Sequence, residues 1–208
     1  MDNIYQNGLD EIENQLDNEN KKDFIRLLRD TKRDGIEDLI KWLDTETDFF
    51  TAPASTKYHL NCKGDLLQHS LNVLDQLVVQ ASMEVSDDDI SQELMNSIVI
   101  VSLLHDVCKA NFYIEKEKNV KNEKGDWIKE PFYTINDSFP VGHGEKSVIL
   151  IQKYIDLTDD EILAIRWHMG AFEPKESHNS LSNAFNKSWL ALDLHIADLK
   201  ATYIVEKE

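Results

Sequence analysis

The seven-residue segment from Ile98 to Leu104 constrains the fold more than any other part of the sequence, because only Ser102 interrupts its apolar side chains. A helix with this composition is apolar on nearly every face, so we expect it at the centre of a core built by other elements. The acidic run Ser86–Asp89 predicts an N-terminal cap for this helix. The segment is far shorter than the roughly 20 apolar residues that cross a bilayer, and we predict no membrane association.

The spacing of apolar residues predicts helices along almost the whole chain. Apolar side chains recur every three or four residues from about Leu9 to Leu43, with a break predicted at Asp34-Gly35. The same spacing covers about Asp65 to Gln80. It recurs on both sides of Thr158–Glu161, a sequence typical of a capping box. A last helix is predicted from about Leu181 to Val205.

Residues 111–135 interrupt this helical pattern. Aromatic and β-branched residues there flank the polar stretch Lys121–Asp126, which contains a turn glycine, and this arrangement predicts a β-hairpin. The hairpin carries four aromatic side chains that either stack on a substrate base or cover the flank of the helices, namely Tyr113, Trp127, Phe132 and Tyr133. The predicted fold is therefore an all-α helical bundle with a small inserted β-hairpin, in one domain that spans residues 1–208.

Composition excludes several classes of function. With 39 acidic and 22 basic residues the chain has a formal charge of −17, so we expect no long nucleic acid as a partner. A phosphate substrate remains compatible with this charge, because a bound divalent cation can be the largest local charge at a site. Cys62 and Cys108 are the only cysteines, which excludes a disulfide framework and a four-thiolate zinc site. The first residues show no basic stretch followed by an apolar segment, so we expect a cytoplasmic protein; the sequence predicts no oligomeric state.

Histidine and aspartate stand in five separate segments, most of them where a helix begins or ends. These residues are His69, His105 with Asp106, His143, His168 and Asp198. Imidazole nitrogens and carboxylate oxygens are common ligands of divalent metals, and a bundle can bring ligands from several helices to one interior point. Each residue alone also has an ordinary structural explanation, such as an exposed helix position, a loop or a hydrogen-bonded core histidine. A buried Asp106 would need either a metal or a salt bridge, which Lys109 can supply.

The order of these segments resembles the HD superfamily of metal-dependent phosphohydrolases, whose signature is a helix histidine, a His-Asp dipeptide and a distal aspartate. The matching segments are Gly64–His69, His105–Lys109 and His195–Asp198. His143 and His168 are similar to the extra pair of binuclear members, such as HD-GYP phosphodiesterases and HD-containing 3′–5′ exoribonucleases. The chain departs from the common pattern by having Cys108 in place of glycine, a single histidine at 168 and no Gly-Tyr-Pro motif.

The resemblance implies an HD core at residues 64–202, preceded by a helical extension at 1–50, and two divalent metal ions that share Asp106. One ion would have the ligands His69, His105, Asp106 and Asp198, and the second would add His143 and His168. Manganese, iron, magnesium, nickel and zinc are not distinguished.

The resemblance also implies catalytic and substrate-binding roles for residues near these candidate ligands. Asp106 and Lys109 are the implied catalytic pair, with Lys109 orienting Asp106 or meeting a substrate phosphate. The expected substrate-binding residues are Lys146, Arg166 and His195. Asp65 and Glu145 are candidate bases behind the ligands.

The function expected from the sequence is hydrolysis of a phosphomonoester or phosphodiester bond of a nucleotide or short oligonucleotide by a metal-activated water. Two alternatives remain open: a di-iron oxygenase that uses the same ligands, and a non-catalytic regulatory domain that binds a nucleotide. The expected partner is a small phosphorylated substrate.

Overall fold

Helices dominate the part of the chain that the computed structural model describes, residues 16, 18–55, 63–84, 91–122 and 124–207. The α-helices are α1 (residues 18–30), α2 (Ile36–Thr45), α3 (Asp65–Glu84), α4 (Gln92–Leu104), α5 (His143–Ile151), α6 (Asp159–Trp167), α7 (His178–Lys187) and α8 (Trp189–Lys200). Short 3₁₀ turns cover Val107–Lys109, Gly170–Phe172 and Lys175–Ser177, and a π-helical turn covers Ala201–Val205. Among these residues no helix combines the length and the apolar character needed to cross a membrane.

Helix α4 lies at the centre of the core, as its composition predicts. Every residue from Ile98 to Leu104 is buried, and the helix packs against α3, α6 and α8. The described N-cap is Ser91, whose hydroxyl accepts a hydrogen bond from the Leu94 amide at 3.1 Å. The cap predicted at Ser86–Asp89 lies outside the described residues. Because the second half of α4, Ile98–Leu104, is buried on all sides, the residues that follow it lie in the interior of the protein.

The first two helices share this core, since Phe24, Leu28, Leu39 and Leu43 are fully buried in it. The predicted break between these helices is confirmed at Gly35, which has a positive φ of 84° at the start of α2. A Cβ atom there would collide with the carbonyl oxygen of Tyr154, so glycine is required both for the backbone angle and for the close approach.

Helix α6 begins with the predicted capping box, which is confirmed. The Thr158 hydroxyl accepts from the Glu161 amide, and the Glu161 carboxylate accepts from the Thr158 amide at 2.8 Å. The same carboxylate is buried and is also bound by Arg33, which lies between α1 and α2. This contact joins the N-terminal helices to the helix that carries His168.

The hairpin predicted within residues 111–135 is confirmed. Strands β1 (Tyr113–Lys121) and β2 (Trp127–Ile135) pair antiparallel, from Tyr113 opposite Ile135 to Lys121 opposite Trp127. Most of its side chains are exposed, so the hairpin projects from the bundle. Its base adjoins the end of α4, which places Tyr113 near the histidine cluster and Trp127 at the opposite end of the strands.

The single helix predicted from Leu181 to Val205 is wrong. Ser188 has an extended backbone and separates α7 from α8, and α8 then passes into the π-helical turn. The apolar spacing continues through these breaks, which explains why it predicts one helix.

Candidate metal centre

Five elements bring all six predicted metal ligands to one point inside the bundle. His69 lies on α3, His105 and Asp106 follow α4, His143 begins α5, His168 follows α6, and Asp198 lies on α8. Their side chains form three overlapping groups of potential ligands, in each of which the ligand atoms lie within 4.8 Å of one another. The set is strongly buried, with His143 the most accessible at 28% side-chain exposure.

Asp106 stands at the centre and presents its two oxygens to different histidines. Oδ2 lies 3.8 Å from Nε2 of His69 and 3.4 Å from Nε2 of His105. Oδ1 lies 2.7 Å from Nε2 of His143 and 3.5 Å from Nε2 of His168. On the Oδ2 side, His69 Nε2 is also 3.2 Å from Oδ1 of Asp198. One carboxylate is thus shared by two neighbouring groups of ligands.

Hydrogen bonds on the outer nitrogens of His69, His105 and His168 direct their Nε2 atoms towards this centre. Nδ1 of His105 donates to the Ser102 carbonyl oxygen at 2.8 Å, and Nδ1 of His168 donates to that of Ile165 at 2.7 Å. A carbonyl oxygen can only accept, so the proton of each neutral ring resides on Nδ1 and the Nε2 lone pair faces inward. This is the tautomer and orientation that metal-bound histidines usually have.

Two features suit this centre to a metal ion: the types of side chain that form it, and two buried nitrogen atoms that have no hydrogen-bond partner. Nε2 of His105 and Nε2 of His168 are fully buried and have no hydrogen-bond partner. A buried polar atom without a partner costs free energy, and metal ions held by this cluster would satisfy both atoms. The buried histidine and aspartate cluster can therefore hold a metal ion.

Electrostatics within the cluster are strongly coupled. Burial disfavours the charged ring of His69, but hydrogen bonds to Asp198 and Glu206 outweigh it and raise the pKa of His69 to about 10. Burial likewise opposes charge on His143, yet Cys108 and Asp106 raise its pKa to about 9. The pKa of Asp106 is held well below its usual range despite burial, chiefly by Lys109 and His105. Protons and a metal ion would compete for the same ring nitrogens.

A cavity of about 420 Å³ opens over the Asp198 side of the cluster. Lys109 lies on its wall with Nζ 2.6 Å from Oδ2 of Asp106, and His195 also lines it. Nδ1 of His195 donates to the carbonyl oxygen of His168 at 2.6 Å, which couples this ring to a candidate ligand. The structure places Lys109 and His195 beside the candidate ligands, and their roles stay predictions.

The remaining predicted residues lie away from this cavity and have partners of their own. Lys146 is buried, with Nζ 2.7 Å from Asp137, and borders a smaller cavity of about 200 Å³ beside His143. Arg166 is held by carboxylates of Glu145 and Glu173 and covers the ring of Trp167. These ion pairs hold Lys146 and Arg166 near the candidate ligands, but neither side chain lines the cavity of about 420 Å³.

The candidate bases also lie off the cavity wall. Asp65 is the first residue of α3, and the Glu145 carboxylate is engaged by Arg166. Neither residue is among those that line the main cavity.

Among the residues at this site that the sequence did not predict are Phe172, Tyr203 and Glu206. All three line the cavity, and the two aromatic rings are exposed at 67% and 59%. Glu206 accepts from Nδ1 of His69 at 3.0 Å. The sequence gives no signal that these residues line a cavity, because aromatic residues in a turn and a glutamate after an apolar run are common on protein surfaces.

No model of a known protein family, no curated protein and no solved structure matches this chain. Its chemistry is therefore inferred from the residues that form the centre.

Proposed function

We propose that the protein is a metal-dependent phosphohydrolase of the HD type, which cleaves a phosphomonoester or phosphodiester bond of a nucleotide or short oligonucleotide. The observation that carries the proposal is the position of Asp106, whose Oδ1 and Oδ2 face different histidines. A carboxylate shared in this way is suited to hold two cations, which is the arrangement of two-metal phosphoryl chemistry.

The charge of the ligand set supports a phosphate substrate. Two aspartates, Asp106 and Asp198, would offset only half of the charge of two divalent ions. The positive charge of Lys109 beside Asp106 and the negative charge of Glu206 beside His69 cancel each other, so the excess remains. A site with an excess of positive charge in a buried setting favours an anion whose charge is spread over several oxygens. Bound divalent ions at this centre would polarise a phosphoryl group and acidify a water molecule.

The chain's own residues would bind and orient the substrate. Lys109 borders the cavity and can meet a phosphate oxygen while it holds Asp106 in place. His195 is fixed through Nδ1, so Nε2 is left to contact a polar group of the substrate. Phe172 and Tyr203 provide exposed rings on which a base can stack.

Metal content and hydrolysis measured on the same preparations test this proposal. We expect about two Mn²⁺ ions per chain in the wild type and about one in His143→Ala or His168→Ala, with hydrolysis of p-nitrophenyl phosphate, its diester or nucleotides lost in Asp106→Asn. His178→Ala is the matched control, because His178 is an exposed histidine at the start of α7.

Three results would contradict the proposal. Binding of Mn²⁺, Fe²⁺ or Mg²⁺ without hydrolysis of any phosphate ester would favour a regulatory domain. Iron in the isolated protein together with consumption of dioxygen would favour an oxygenase. Equal metal content in all variants would show that these histidines are not ligands.

A further inference from the structure

We infer that Glu206 is a positioning residue of the metal centre, fixed by a chain of side-chain amides that begins on the N-terminal helix α1. The inference rests on the proposed metal binding, because positioning of His69 matters only if its Nε2 coordinates an ion. The inference assigns a role to the segment after α8, where the sequence pattern predicts only the end of a helix.

Both carboxylate oxygens of Glu206 lie on the outer nitrogen of His69, at 3.0 and 3.2 Å from Nδ1. Nε2, on the opposite side of the same ring, faces Asp106 and Asp198. The Glu206 side chain is 5% exposed, and the ring of His69 is equally buried. A carboxylate behind a ligand histidine fixes the orientation of the ring and makes its inner nitrogen a stronger ligand.

The π-helical turn is what brings Glu206 to this position. In a continuous α-helix, at about 100° per residue, Val205 would lie on the same face as Asp198, and Glu206 would point about 80° away. The amide of Glu206 instead donates to the carbonyl oxygen of Ala201 at 2.9 Å, five residues back. The added residue moves Glu206 onto the face that meets α3, and such π-turns frequently occur at functional sites.

A series of amide side chains then holds Glu206 from behind. Asn20 on α1 donates to Gln68 at 2.7 Å, Gln68 donates to Asn72 at 2.8 Å, and Asn72 donates to Oε1 of Glu206 at 2.9 Å. All three bonds run in the same direction, so the positive ends of the amide dipoles point towards the carboxylate. The three bonds are partly buried. Aligned hydrogen bonds polarise and strengthen one another where bulk water is largely excluded.

Titration of the purified proteins with Co²⁺ alone tests the inference, with affinity and the visible absorption of the bound ion as readouts. We expect the dissociation constant of the His69 ion to rise about 10–100-fold in Glu206→Ala, in line with losses of similar residues behind ligand histidines. Glu206→Gln keeps an acceptor oxygen and should recover part of the affinity. Asn72→Leu should weaken binding less than Glu206→Ala and alter the absorption in the same direction.

Glu176→Gln is the control for loss of one negative charge, because Glu176 is exposed on the turn Lys175–Ser177. Thermal midpoints are measured in parallel without metal. A lowered midpoint with unchanged Co²⁺ affinity and spectrum in Glu206→Ala would overturn the inference, since Glu206 would then only stabilise the fold. A Co²⁺ affinity of Glu206→Gln as low as that of Glu206→Ala would also overturn the inference.

The proposed function can fail separately from this inference. Co²⁺ binding that depends on Glu206, in a protein that hydrolyses no phosphate ester, would leave the positioning role intact and refute the phosphohydrolase. Failure of the wild type to bind Co²⁺ at all would refute both.

Discussion

Replacement of Glu161 by glutamine is expected to destabilise the whole protein, although the residue lies away from the candidate metal ligands. Its buried carboxylate accepts four hydrogen bonds: two from Arg33 at 2.6 and 3.0 Å, one from the Ser97 hydroxyl at 2.7 Å and one from the Thr158 amide at 2.8 Å. Glutamine has the same shape, but its amide nitrogen would face two of these donors. Arg33 would also lose its charged partner.

Two lost hydrogen bonds to a charged group cost about 1.5–3 kcal/mol each. Breaking a buried ion pair by removing one partner costs about 3–5 kcal/mol, which agrees with this sum. Because the Arg33 side chain is 22% exposed to water, we expect the lower end, about 3 kcal/mol. For a protein of 208 residues that free energy lowers the thermal midpoint by about 6–12 °C.

Far-UV circular dichroism during heating and during urea denaturation at pH 7 would measure this change. Glu37→Gln is the matched control, because Glu37 pairs with Arg29 through two similar hydrogen bonds on an exposed surface. We expect the control midpoint to stay at the wild-type value. In a double variant, Arg33→Met should restore part of the stability lost in Glu161→Gln, since no unpaired guanidinium remains.

A Glu161→Gln midpoint as high as that of the control would refute the reasoning. It would mean that the carboxylate is hydrated or that Arg33 makes no net contribution to folding.

Three further predictions concern the same helices and the cavity. Burial opposes ionisation of Glu161, but Arg33 and the amide of Thr158 lower its pKa in the folded protein. The stability advantage of the wild type over Glu161→Gln should therefore be full above about pH 4.3, the ordinary pKa of glutamate, and be lost as the pH falls through the lowered pKa of the folded state. Denaturation curves of both proteins between pH 7 and pH 3 check the sign of this change. Gly144→Ala should lower the free energy of unfolding in urea by about 1–3 kcal/mol, because the new Cβ would collide with the Arg166 backbone and push α5 away from α6. It should also weaken Mn²⁺ binding at His143. Unchanged binding would show that the spacing of these helices is not critical. Phe172→Ala or Tyr203→Ala should raise KM for a nucleotide about tenfold with kcat unchanged, as expected for a lost stacking contact; an unchanged KM would remove these rings from the substrate site.

The sequence predicts the features of this protein that depend on local spacing. The central helix, the capping box and the hairpin follow from apolar periodicity, one Thr-x-x-Glu pattern and a polar turn between apolar runs. The six candidate ligands were predicted because histidine and aspartate stand in five segments whose order resembles that of the HD superfamily. The structure adds that all six meet around Asp106.

Contacts between distant residues were not predictable in the same way. Arg33 and Glu161 are 128 positions apart, so the sequence shows a capping residue at Glu161 but not its ionic partner. The sequence predicts Arg166 and Lys146 as phosphate contacts because both are cations near candidate ligands, and it does not show that Glu145 and Asp137 pair with them. The break at Ser188 and the π-turn preserve the apolar pattern, so periodicity does not reveal them.

The distance along the chain between His69 and Glu206 has a consequence for how the protein is made. These residues touch across 137 positions, so closing that loop costs entropy that only a largely complete fold can repay. During synthesis the N-terminal helices leave the ribosome long before α8 and Glu206 do, and until then His69 lacks the partners that orient it. A metal ion held with Asp198 among its ligands would therefore report that α8 has docked, and it would stabilise the folded protein by an amount that rises with the logarithm of its free concentration.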